Sequence, residues 1–521
     1  MSPSMIVARL TYILAIGISL LSICCRASGA ERPNVVIVYT DDQGFGDCSA
    51  LNSNAKFETP NLDRLAEQGI LFTNAHSADS VCTPSRYGLL TGRYCWRTSL
   101  KRGVMGAEGE CLIAEKQPTI ASFLRDQGYA TAMVGKWHLG MDFPGQDHQS
   151  RDWTKPVVNM PLDKGFDYFF GVPASLNYGV LAWFEGRFAA SPPTLFTAKK
   201  PNQRHVDYRI MPPYQATPQQ TEQILGKPGM EVAADFIDNQ CLTKFTDKSI
   251  NWMRSHHADH PDQPFFLYLP LTSPHYPVCP LPDFYQHGDC GGYGEFMIET
   301  DFHIGRVLSF LSESGLDQNT LVCVTSDNGP ENSWRARIKE FGHRSNLHFR
   351  EGKRSVYEGG HRVPMIIRWP QGIDSPGRTV DSLVGQIDLF ATVAELVKPD
   401  SEGVGPDSHS FATTLIDANA SHHRLPLINH GAKGRFAITE GDWKLVLPHG
   451  NQSGELYNLA ADPSETKNLA RTHPRRVDEL REKATNIVVN GGTMPGVKQS
   501  NDTTYWDDLT WISESEYESP R

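Results

Sequence analysis

The sequence lacks an apolar run long enough to cross a bilayer as a helix. The run near its start, residues 10–23, covers about 14 residues, whereas a membrane-spanning helix needs about 20. Arg9 before the run and the small residues at 28–30 are typical of a secretion signal. We therefore predict that residues 1–30 are a signal peptide and that the mature protein is exported, to a periplasm, a lumen or the medium. The alternatives are a retained anchor and, because Cys24 and Cys25 follow the run, a lipoprotein site.

An excess of positive charge is also missing. The 521 residues include 49 lysines and arginines against 60 aspartates and glutamates, and the formal net charge is −11. Removing the first 30 residues, with their two arginines, leaves 491 residues and a charge of −13. Such an acidic protein is a poor candidate for binding nucleic acid. If its substrate is an anion, a few local cations must bind that substrate against the overall field.

Cysteine spacing typical of a zinc site is absent as well. Two of the ten cysteines lie in the predicted signal, and the others are Cys48, Cys82, Cys95, Cys111, Cys241, Cys279, Cys290 and Cys323. Setting Cys82 aside leaves an odd number, so at least one thiol is unpaired. An exported protein permits disulfides. We expect Cys279–Cys290, which encloses a short loop, as the first pair and Cys95–Cys111 as the second.

The sequence shows no internal repeat or low-complexity tract, and its pattern is that of an α/β protein. Four apolar or β-branched runs end abruptly in polar residues: Val35–Tyr39, Thr131–Val134, Phe265–Leu271 and Leu321–Thr325. Helical patterns lie between them, at Pro60–Gln68, Gln117–Gln127 and Glu299–Ser314. This alternation predicts an open α/β sheet. In such sheets the functional site lies beyond the carboxyl ends of the strands.

The length predicts one large domain and a smaller one. After the helical pattern at Asp388–Val397 and a polar linker at 401–421, hairpin-like strands follow at Arg435–Thr439, Trp443–Leu447 and Gly454–Leu459, and then a helix at about 473–487. We place the large domain at residues 31–415. A C-terminal α+β subdomain, with a small antiparallel sheet and a helix, takes residues 416–521. Residues 186–235, rich in proline and glutamine, are predicted to be an insertion or long loop near the site.

Two of the strand ends present hard oxygen ligands. Asp41 and Asp42 follow the first strand, and Asp327 and Asn328 follow another. Ligands without cysteine or histidine select calcium or magnesium over zinc or copper, and so many protein oxygens favour calcium. Each string taken alone is also typical of a turn. Two of them at strand ends of one sheet favour a metal site.

The other two strand ends, with a glycine-rich loop, supply cations and histidines. Lys136 and His138 are two residues apart, so an extended backbone would point both side chains to one side. His275 follows the Phe265–Leu271 run, and Lys353 lies in a glycine-rich segment that allows close approach to a ligand. The alternative for either lysine is a solvated surface position. Together these groups predict an anion-binding site next to a metal.

The most specific motif is Cys82-Thr83-Pro84-Ser85-Arg86, followed by Leu-Thr-Gly-Arg at 90–93. The alternative is an ordinary buried or disulfide-bonded thiol in a chance match. The chain nevertheless resembles type I, formylglycine-dependent sulfatases of the arylsulfatase A-like group, in the alkaline-phosphatase superfamily. Besides the cysteine motif, the resemblance rests on the segments at 33–44, 135–140, 165–171, 264–275, 324–329, 352–364 and 454–469. The resemblance spans nearly the whole mature chain. It implies an alkaline-phosphatase-like central mixed sheet flanked by helices.

The resemblance also implies a role for each candidate residue. Cys82, oxidised to formylglycine (3-oxoalanine), would bind Ca²⁺ together with Asp41, Asp42, Asp327 and Asn328. Arg86 and Lys136 would hold the formylglycine and its hydrate, and His138 would contact the second hydroxyl of the hydrate. Lys353 and Lys136 would bind the sulfate. His275 with Lys353 would assist the leaving oxygen. Ser175 would supply a hydroxyl to the substrate pocket, and His449 is a weaker candidate.

The reaction implied is sulfate ester hydrolysis. One hydroxyl of the hydrated aldehyde attacks sulfur, the sulfate is transferred to the enzyme, and inorganic sulfate then leaves by elimination. His275 is expected to act as a general acid that titrates near neutrality. The alternatives are a phosphonate or phosphate monoester hydrolase of the same superfamily and a noncatalytic binder of sulfated glycans.

The expected partners are a sulfated small molecule or glycan as substrate and a separate maturation enzyme that oxidises Cys82 before the chain folds. For an exported enzyme a sulfated carbohydrate is a reasonable substrate, and no stable membrane span is expected. The resemblance has one departure: Glu351 stands two residues before Lys353, where many relatives have a small residue. This carboxylate could narrow the anionic pocket or face solvent.

Overall fold

A large mixed sheet forms the framework of the fold. The computed structural model describes residues 32–197, 217–225, 229–401, 404–496 and 499–518. The strands in these residues are β1 (Asn34–Asp41), β2 (Ile70–Phe72), β3 (Ala75–His76), β4 (Ala130–Lys136), β5 (Tyr168–Val172), β6 (Val180–Leu181), β7 (Phe184–Glu185), β8 (Phe188–Ala189), β9 (Leu195–Thr197), β10 (Met230–Val232), β11 (Phe265–Pro274), β12 (Thr320–Ser326), β13 (Met365–Arg368), β14 (Arg378–Val380), β15 (Val384–Gly385), β16 (Leu427–His430), β17 (Phe436–Glu440), β18 (Trp443–Val446) and β19 (Glu455–Asn458).

The helices lie mainly between these strands. Those of the described residues are α1 (Pro60–Glu67), α2 (Cys82–Thr91), α3 (Ile120–Asp126), α4 (Pro218–Leu225), α5 (Cys241–Asp259), α6 (Gly291–Glu313), α7 (Trp334–Phe341), α8 (Glu358–His361), α9 (Leu389–Val397), α10 (Ala412–Ile416), α11 (Pro474–Val489) and α12 (Glu514–Tyr517). Helices α5 and α6 pack on each other and on β11.

The large sheet has ten strands in the order β14-β2-β13-β12-β1-β11-β4-β5-β7-β8. Its five central strands, β12 to β5, run parallel, and antiparallel pairs join β13 to β12 and β7 to β5. The residues of β1 read Asn-Val-Val-Ile-Val-Tyr-Thr-Asp and are buried from Val35 onward. A continuous apolar run is what a parallel strand needs when both faces of its sheet are covered. The predicted mixed α/β sheet with flanking helices is confirmed.

The predicted elements appear with small shifts in their ends, and one helix is much longer than expected. Helix α6 begins at Gly291, eight residues before the pattern that predicted it. Gly291, Gly292 and Gly294 lower helix propensity in the first turn. The side chains of Tyr293, Phe296 and Met297 are buried in this part of the helix, and their packing offsets the low propensity. Helix α5 and strand β16 had no counterpart in the sequence prediction.

Near the end of the chain, β16 to β19 form an antiparallel four-stranded sheet in chain order. Apolar residues of these strands and of α11 form a hydrophobic cluster that includes Phe436, Leu445, Leu456 and Leu480. The small antiparallel sheet and the helix were both expected. The domain boundary at residues 415 and 416 stays a prediction.

Three further expectations have different outcomes. Cys95, Cys111 and Cys290 are buried thiols, so neither predicted disulfide is formed; each sulfur is enclosed by the core instead. The predicted insertion at 186–235 is more structured than a loop, since β9, β10 and β6 form a small sheet, while 198–216 and 226–228 lie outside the described residues. The predicted signal peptide, residues 1–30, also lies outside them. No helix in the described ranges is both long and apolar enough to span a membrane.

Candidate active site

Four neighbouring strands bring the predicted site residues to one edge of the large sheet. Strand β1 ends at Asp41, β4 ends at Lys136, and His275 directly follows β11. Asp327 and Asn328 directly follow β12. These strands are adjacent in the order β12-β1-β11-β4. Because parallel strands end at the same edge, side chains far apart in sequence meet there, as the topology of open α/β sheets predicts.

Cys82 is the first residue of α2, which begins beside this edge. Its sulfur lies in a buried group of possible metal ligands with Asp41, Asp42 and His275, whose ligand atoms are all within 4.8 Å of one another. Burial is the largest influence on the Cys82 thiol and raises its pKa to about 12, although Lys136 and Lys353 oppose the rise. The thiol is therefore protonated at neutral pH.

Arg86 lies one helical turn after Cys82, on the same side of α2. Its Nη2 and Nε donate to Asp327 Oδ2 at 2.8 and 3.2 Å, and its Nη1 donates to the Lys136 carbonyl at 3.0 Å. Arg86 and Asp327 are both fully buried. The guanidinium thus ties α2 to the ends of β12 and β4, which fixes the position of Cys82 against the aspartates.

Each of the two aspartates after β1 is paired with a lysine. Lys136 Nζ donates to Asp41 Oδ2, and Lys353 Nζ lies against Asp42 Oδ1, both at 2.5 Å. Burial would raise the pKa of Asp42, but Lys353 and then His275 outweigh it and hold that pKa below its usual range. Burial would likewise lower the pKa of Lys353, but Asp42 raises it well above the ordinary value. Both members of this pair are charged.

One side-chain oxygen each of Asp41, Asp42 and Asn328 is left without a hydrogen bond in the part of the chain that the structure describes. Asp41 Oδ1, Asp42 Oδ2 and Asn328 Oδ1 are buried and accept no hydrogen bond from the described residues. Asp327 differs, because its Oδ1 accepts from the Asp42 amide at 3.1 Å and its Oδ2 accepts from Arg86. Buried polar atoms are nearly always satisfied, so three such oxygens in one place indicate a position suited to binding a cation. The donor set fits a hard cation such as calcium or magnesium.

Lys353 reaches the site because its loop packs directly on the turn after β12. The Lys353 amide donates to the Pro330 carbonyl at 3.0 Å, and the Gly329 amide donates to the Gly360 carbonyl at 2.9 Å. A Cβ on Gly329 would lie 1.8 Å from the Gly359 carbonyl oxygen. Only glycine allows this approach, so Gly329 sets the distance between the loop of Lys353 and the turn at Asp327 and Asn328.

Two histidines of the site, His138 and His275, use different ring nitrogens to hydrogen-bond a backbone carbonyl. His138 Nε2 lies 3.0 Å from the Met105 carbonyl, which can only accept, so Nε2 carries the proton and Nδ1 has a free lone pair. No described residue bonds to that Nδ1. His275 Nδ1 donates to the Tyr276 carbonyl at 2.5 Å, which leaves Nε2 facing Asp42 Oδ2 at 3.7 Å.

Both histidines are held neutral. Burial first, and then Lys136 and Arg86, lower the pKa of His138 well below its usual range. Burial and Lys353 lower the pKa of His275 to about 3. The expectation that His275 titrates near neutrality is therefore wrong for this state, because a buried imidazole beside a cation loses its charged form.

The remaining candidates separate clearly. Ser175, in a turn after β5, is buried, and its Oγ has no hydrogen-bond partner in the described part of the chain. Glu351 points outward and pairs with the half-exposed Arg335. Its carboxylate therefore faces solvent and does not narrow the anionic pocket. His449 Nε2 lies 2.8 Å from Asp508 Oδ1 in a different cluster.

The structure adds further groups around the candidate residues. Glu331 accepts two hydrogen bonds from Arg354, at 2.6 and 2.8 Å, and lies 3.9 Å from Lys353 Nζ. Tyr178 and Tyr276 place their rings 5.1 and 4.4 Å from those of His138 and His275. Two of these residues, Arg354 and Tyr276, adjoin predicted site residues in sequence, which was the one available signal. The whole arrangement can bind a tetrahedral anion between two lysines next to residue 82.

Comparison with known proteins agrees with this chemistry. The chain matches the Sulfatase family over residues 33–399 and the family described as N-sulphoglucosamine sulphohydrolase, C-terminal, over residues 348–488. It is 32% identical to an N-acetylgalactosamine-6-O-sulfatase of Bacteroides thetaiotaomicron, over 91% of this chain and 98% of that protein. It is 29% identical to arylsulfatase A of Homo sapiens, over 86% of each chain.

A solved structure from work on the metabolism of multiple glycosaminoglycans by Bacteroides thetaiotaomicron has the same fold. It gives a TM-score of 0.75 at 30% identity and covers 88% of this chain and 99% of that one. The matched family region covers more than half of the chain and contains every strand end described above. The chain therefore belongs to the sulfatase family, within the alkaline-phosphatase superfamily, and is a sulfuric ester hydrolase.

Proposed function

We propose that this enzyme hydrolyses a sulfate ester of an amino sugar, such as N-acetylgalactosamine 6-sulfate, with Cys82 oxidised to formylglycine. Two relatives named N-acetylgalactosamine-6-O-sulfatase and N-acetylgalactosamine-6-sulfatase support the sugar, at 32% and 30% identity. The observation that carries the chemistry is the position of Cys82 among three buried oxygens without hydrogen bonds and two ion-paired lysines. That surrounding fits a nucleophile attacking an anionic centre next to a metal.

The unmodified thiol does not suit this role. A thiol whose pKa burial raises to about 12 carries almost no thiolate at pH 7 and is a poor nucleophile. Formylglycine, when hydrated, would supply a gem-diol with one hydroxyl to attack sulfur and a second to permit release of sulfate by elimination. The side chain of Arg86, fixed between Asp327 and the Lys136 carbonyl, would hold residue 82 in place.

Calcium is the metal that we infer. Asp41, Asp42, Asp327 and Asn328 would hold it together with residue 82, and the oxygens of Asp41, Asp42 and Asn328 that accept no hydrogen bond support three of these ligands. The ion would supply positive charge that acidifies the attacking hydroxyl and neutralises the sulfate. An all-oxygen set supplied largely by the protein favours calcium over magnesium, which usually keeps several waters.

The remaining steps belong to side chains. Lys136 and Lys353 would contact the sulfate oxygens, since both are buried cations at the site. His138 Nδ1, which has the free lone pair, would take the proton from the second hydroxyl of residue 82. Lys353, which is charged, would supply the proton that the leaving oxygen takes up, and His275 Nε2, which faces the site, would assist as its neighbour. Ser175 would bind the substrate.

We also propose that the chain is exported through residues 1–30 and depends on a separate formylglycine-forming maturation enzyme. Both follow from the sequence motifs, Cys82-Thr83-Pro84-Ser85-Arg86 and the apolar run at 10–23. A host without the maturation enzyme is expected to produce folded protein with an intact thiol. Its far-UV circular dichroism would match that of the active enzyme, while its sulfate release would be lost.

The test is sulfate release by protein matured in a host with formylglycine-forming activity. We expect multiple turnover of N-acetylgalactosamine 6-sulfate and none by a Cys82→Ala variant, which keeps the fold but has nothing to oxidise. Faster turnover of an aryl phosphate or phosphonate ester than of any sulfate ester would favour the phosphate and phosphonate alternative. Tight binding of sulfated glycan without release of sulfate would favour the noncatalytic binder.

A further inference from the structure

The turn at residues 173–178 lies beside the active site and has no assigned role apart from Ser175. It follows β5, the neighbour of β4 in the large sheet. Trp137 and His138 donate their amides to the Val172 and Pro173 carbonyls at 3.1 and 2.9 Å. The Tyr178 amide donates to the Ser175 carbonyl at 3.0 Å, which closes the turn. Its position is therefore fixed by the same segment that carries Lys136 and His138.

Two polar atoms in this turn are buried without partners. Ser175 Oγ and Asn177 Oδ1 form no hydrogen bond within the ranges that the structure describes. Ser175 is 2% exposed. A site built to hydrogen-bond a ligand leaves such groups unpaired until the ligand arrives. Asn177 Oδ1 can only accept, so its partner must be a donor such as a hydroxyl or an amide, whereas the Ser175 hydroxyl can donate or accept.

Two half-buried tyrosine rings lie against the rings of His138 and His275. The Tyr178 ring is 5.1 Å from that of His138, and the Tyr276 ring stacks on His275 at 4.4 Å. Both tyrosines are half-buried, whereas both histidines are buried. Burial and then the neighbouring Cys82 raise the pKa of Tyr178 to about 12. Aromatic faces with a few placed polar groups are the usual lining of a small-molecule pocket.

We propose that these four residues form the leaving-group subsite and that it binds a hydroxyl-bearing sugar ring: Ser175, Asn177, Tyr178 and Tyr276. The tyrosine faces pack against the carbon–hydrogen face of the ring, and Asn177 accepts a hydrogen bond from a sugar hydroxyl or acetamido N–H. This inference rests on the proposed function and assigns the groups that recognise its substrate. The subsite discriminates a sugar sulfate from a flat aryl sulfate, because an aryl ring offers no donor to Asn177.

The test compares two probes, N-acetylgalactosamine 6-sulfate and 4-nitrophenyl sulfate, on enzyme with residue 82 oxidised. For Asn177→Ala we expect the ratio of the two kcat/KM values, sugar over aryl, to fall about tenfold, as the loss of one substrate hydrogen bond predicts. For Tyr276→Ala we expect KM for the sugar to rise, with Tyr276→Phe close to wild type because it keeps the ring. Ser175→Ala repeats the ratio test if Asn177→Ala does not fold.

Tyr168→Ala is the matched control. Tyr168 is a half-buried tyrosine at the other end of β5, stacked on Trp252. It is expected to leave the ratio unchanged. Unchanged ratios in Asn177→Ala and Ser175→Ala, with normal turnover, would overturn the subsite alone. If oxidised wild-type enzyme releases sulfate from neither probe, the proposed function fails and the subsite fails with it.

Discussion

Replacing Lys444 with methionine would remove the positive charge at the centre of a buried cluster. Its Nζ lies 2.9 Å from Glu358 Oε1, 2.9 Å from Glu465 Oε1 and 3.1 Å from His361 Nε2. The lysine and both glutamates are 0% exposed. Lys444 belongs to β18, whereas Glu358 and His361 form part of α8, which closely follows Lys353 in the chain. The cluster therefore joins the C-terminal sheet to the active-site loop.

The loss of stability in Lys444→Met depends on which ion pairs the two glutamates retain. Glu358 retains an ion pair with Arg362 at 2.8 Å, so the loss falls mainly on Glu465. Leaving a buried carboxylate uncompensated costs about 3–5 kcal/mol of unfolding free energy. Burial is the largest influence on Glu465 and raises its pKa to about 7, so it can take a proton instead. We expect Lys444→Met to cost about 3 kcal/mol at pH 8 and clearly less at pH 5.5.

The assay is urea unfolding of wild type and variant at both pH values. Lys483→Met is the control, because Lys483 pairs with Glu440 at the surface, with 46% of the lysine side chain exposed. A surface pair contributes about 0–1 kcal/mol. If Lys444→Met cost no more than Lys483→Met, or cost the same at pH 5.5 and pH 8, the reasoning about this cluster would be refuted.

Three further predictions concern the same cluster and the site. A carboxyl whose folded pKa is raised contributes stability that is present below its unfolded pKa and is lost as pH rises to about 7. The unfolding free energy of wild type should therefore fall relative to that of Glu465→Gln as pH rises over that range. A difference between the two proteins that stays constant with pH would contradict this. Arg86→Lys cannot reproduce the forked contact with Asp327, and we expect kcat to fall about 100-fold; near-normal kcat would contradict it. Chelation of the metal should abolish sulfate release. Added calcium should raise the thermal unfolding midpoint of wild type, with a stabilisation of about 2.7 kcal/mol at a free calcium concentration of 100 times Kd. A midpoint insensitive to calcium would contradict the metal assignment.

The strand ends were predictable because their signal is local. An apolar run that stops at Asp41, at Lys136 or just before Asp327 reveals both the strand and the edge at which it ends. The general rule that parallel strands end together then predicts that these side chains meet. The cysteine motif is local too, but that residues 82 and 86 fall on one side of a helix is a finding of the structure.

Pairings across long stretches of chain could not be predicted. The sequence offers no reason why Lys353, rather than Lys136, should take Asp42, since that choice depends on how the glycine-rich loop packs on the turn at Gly329. Burial is equally invisible, and it is why His275 was expected to titrate near neutrality when its pKa lies at about 3. The resemblance indicated Ser175 but not Asn177, and only the folded sheet places their turn beside His138.

The chemical state of residue 82 tests the central claim most directly. Mass spectrometry of the tryptic peptide containing Cys82 would be run on several preparations matured to different extents, and sulfate release would be measured on each. We predict an aldehyde in place of the thiol, with specific activity proportional to the aldehyde fraction. Full activity in protein whose residue 82 is an unmodified thiol would contradict the account.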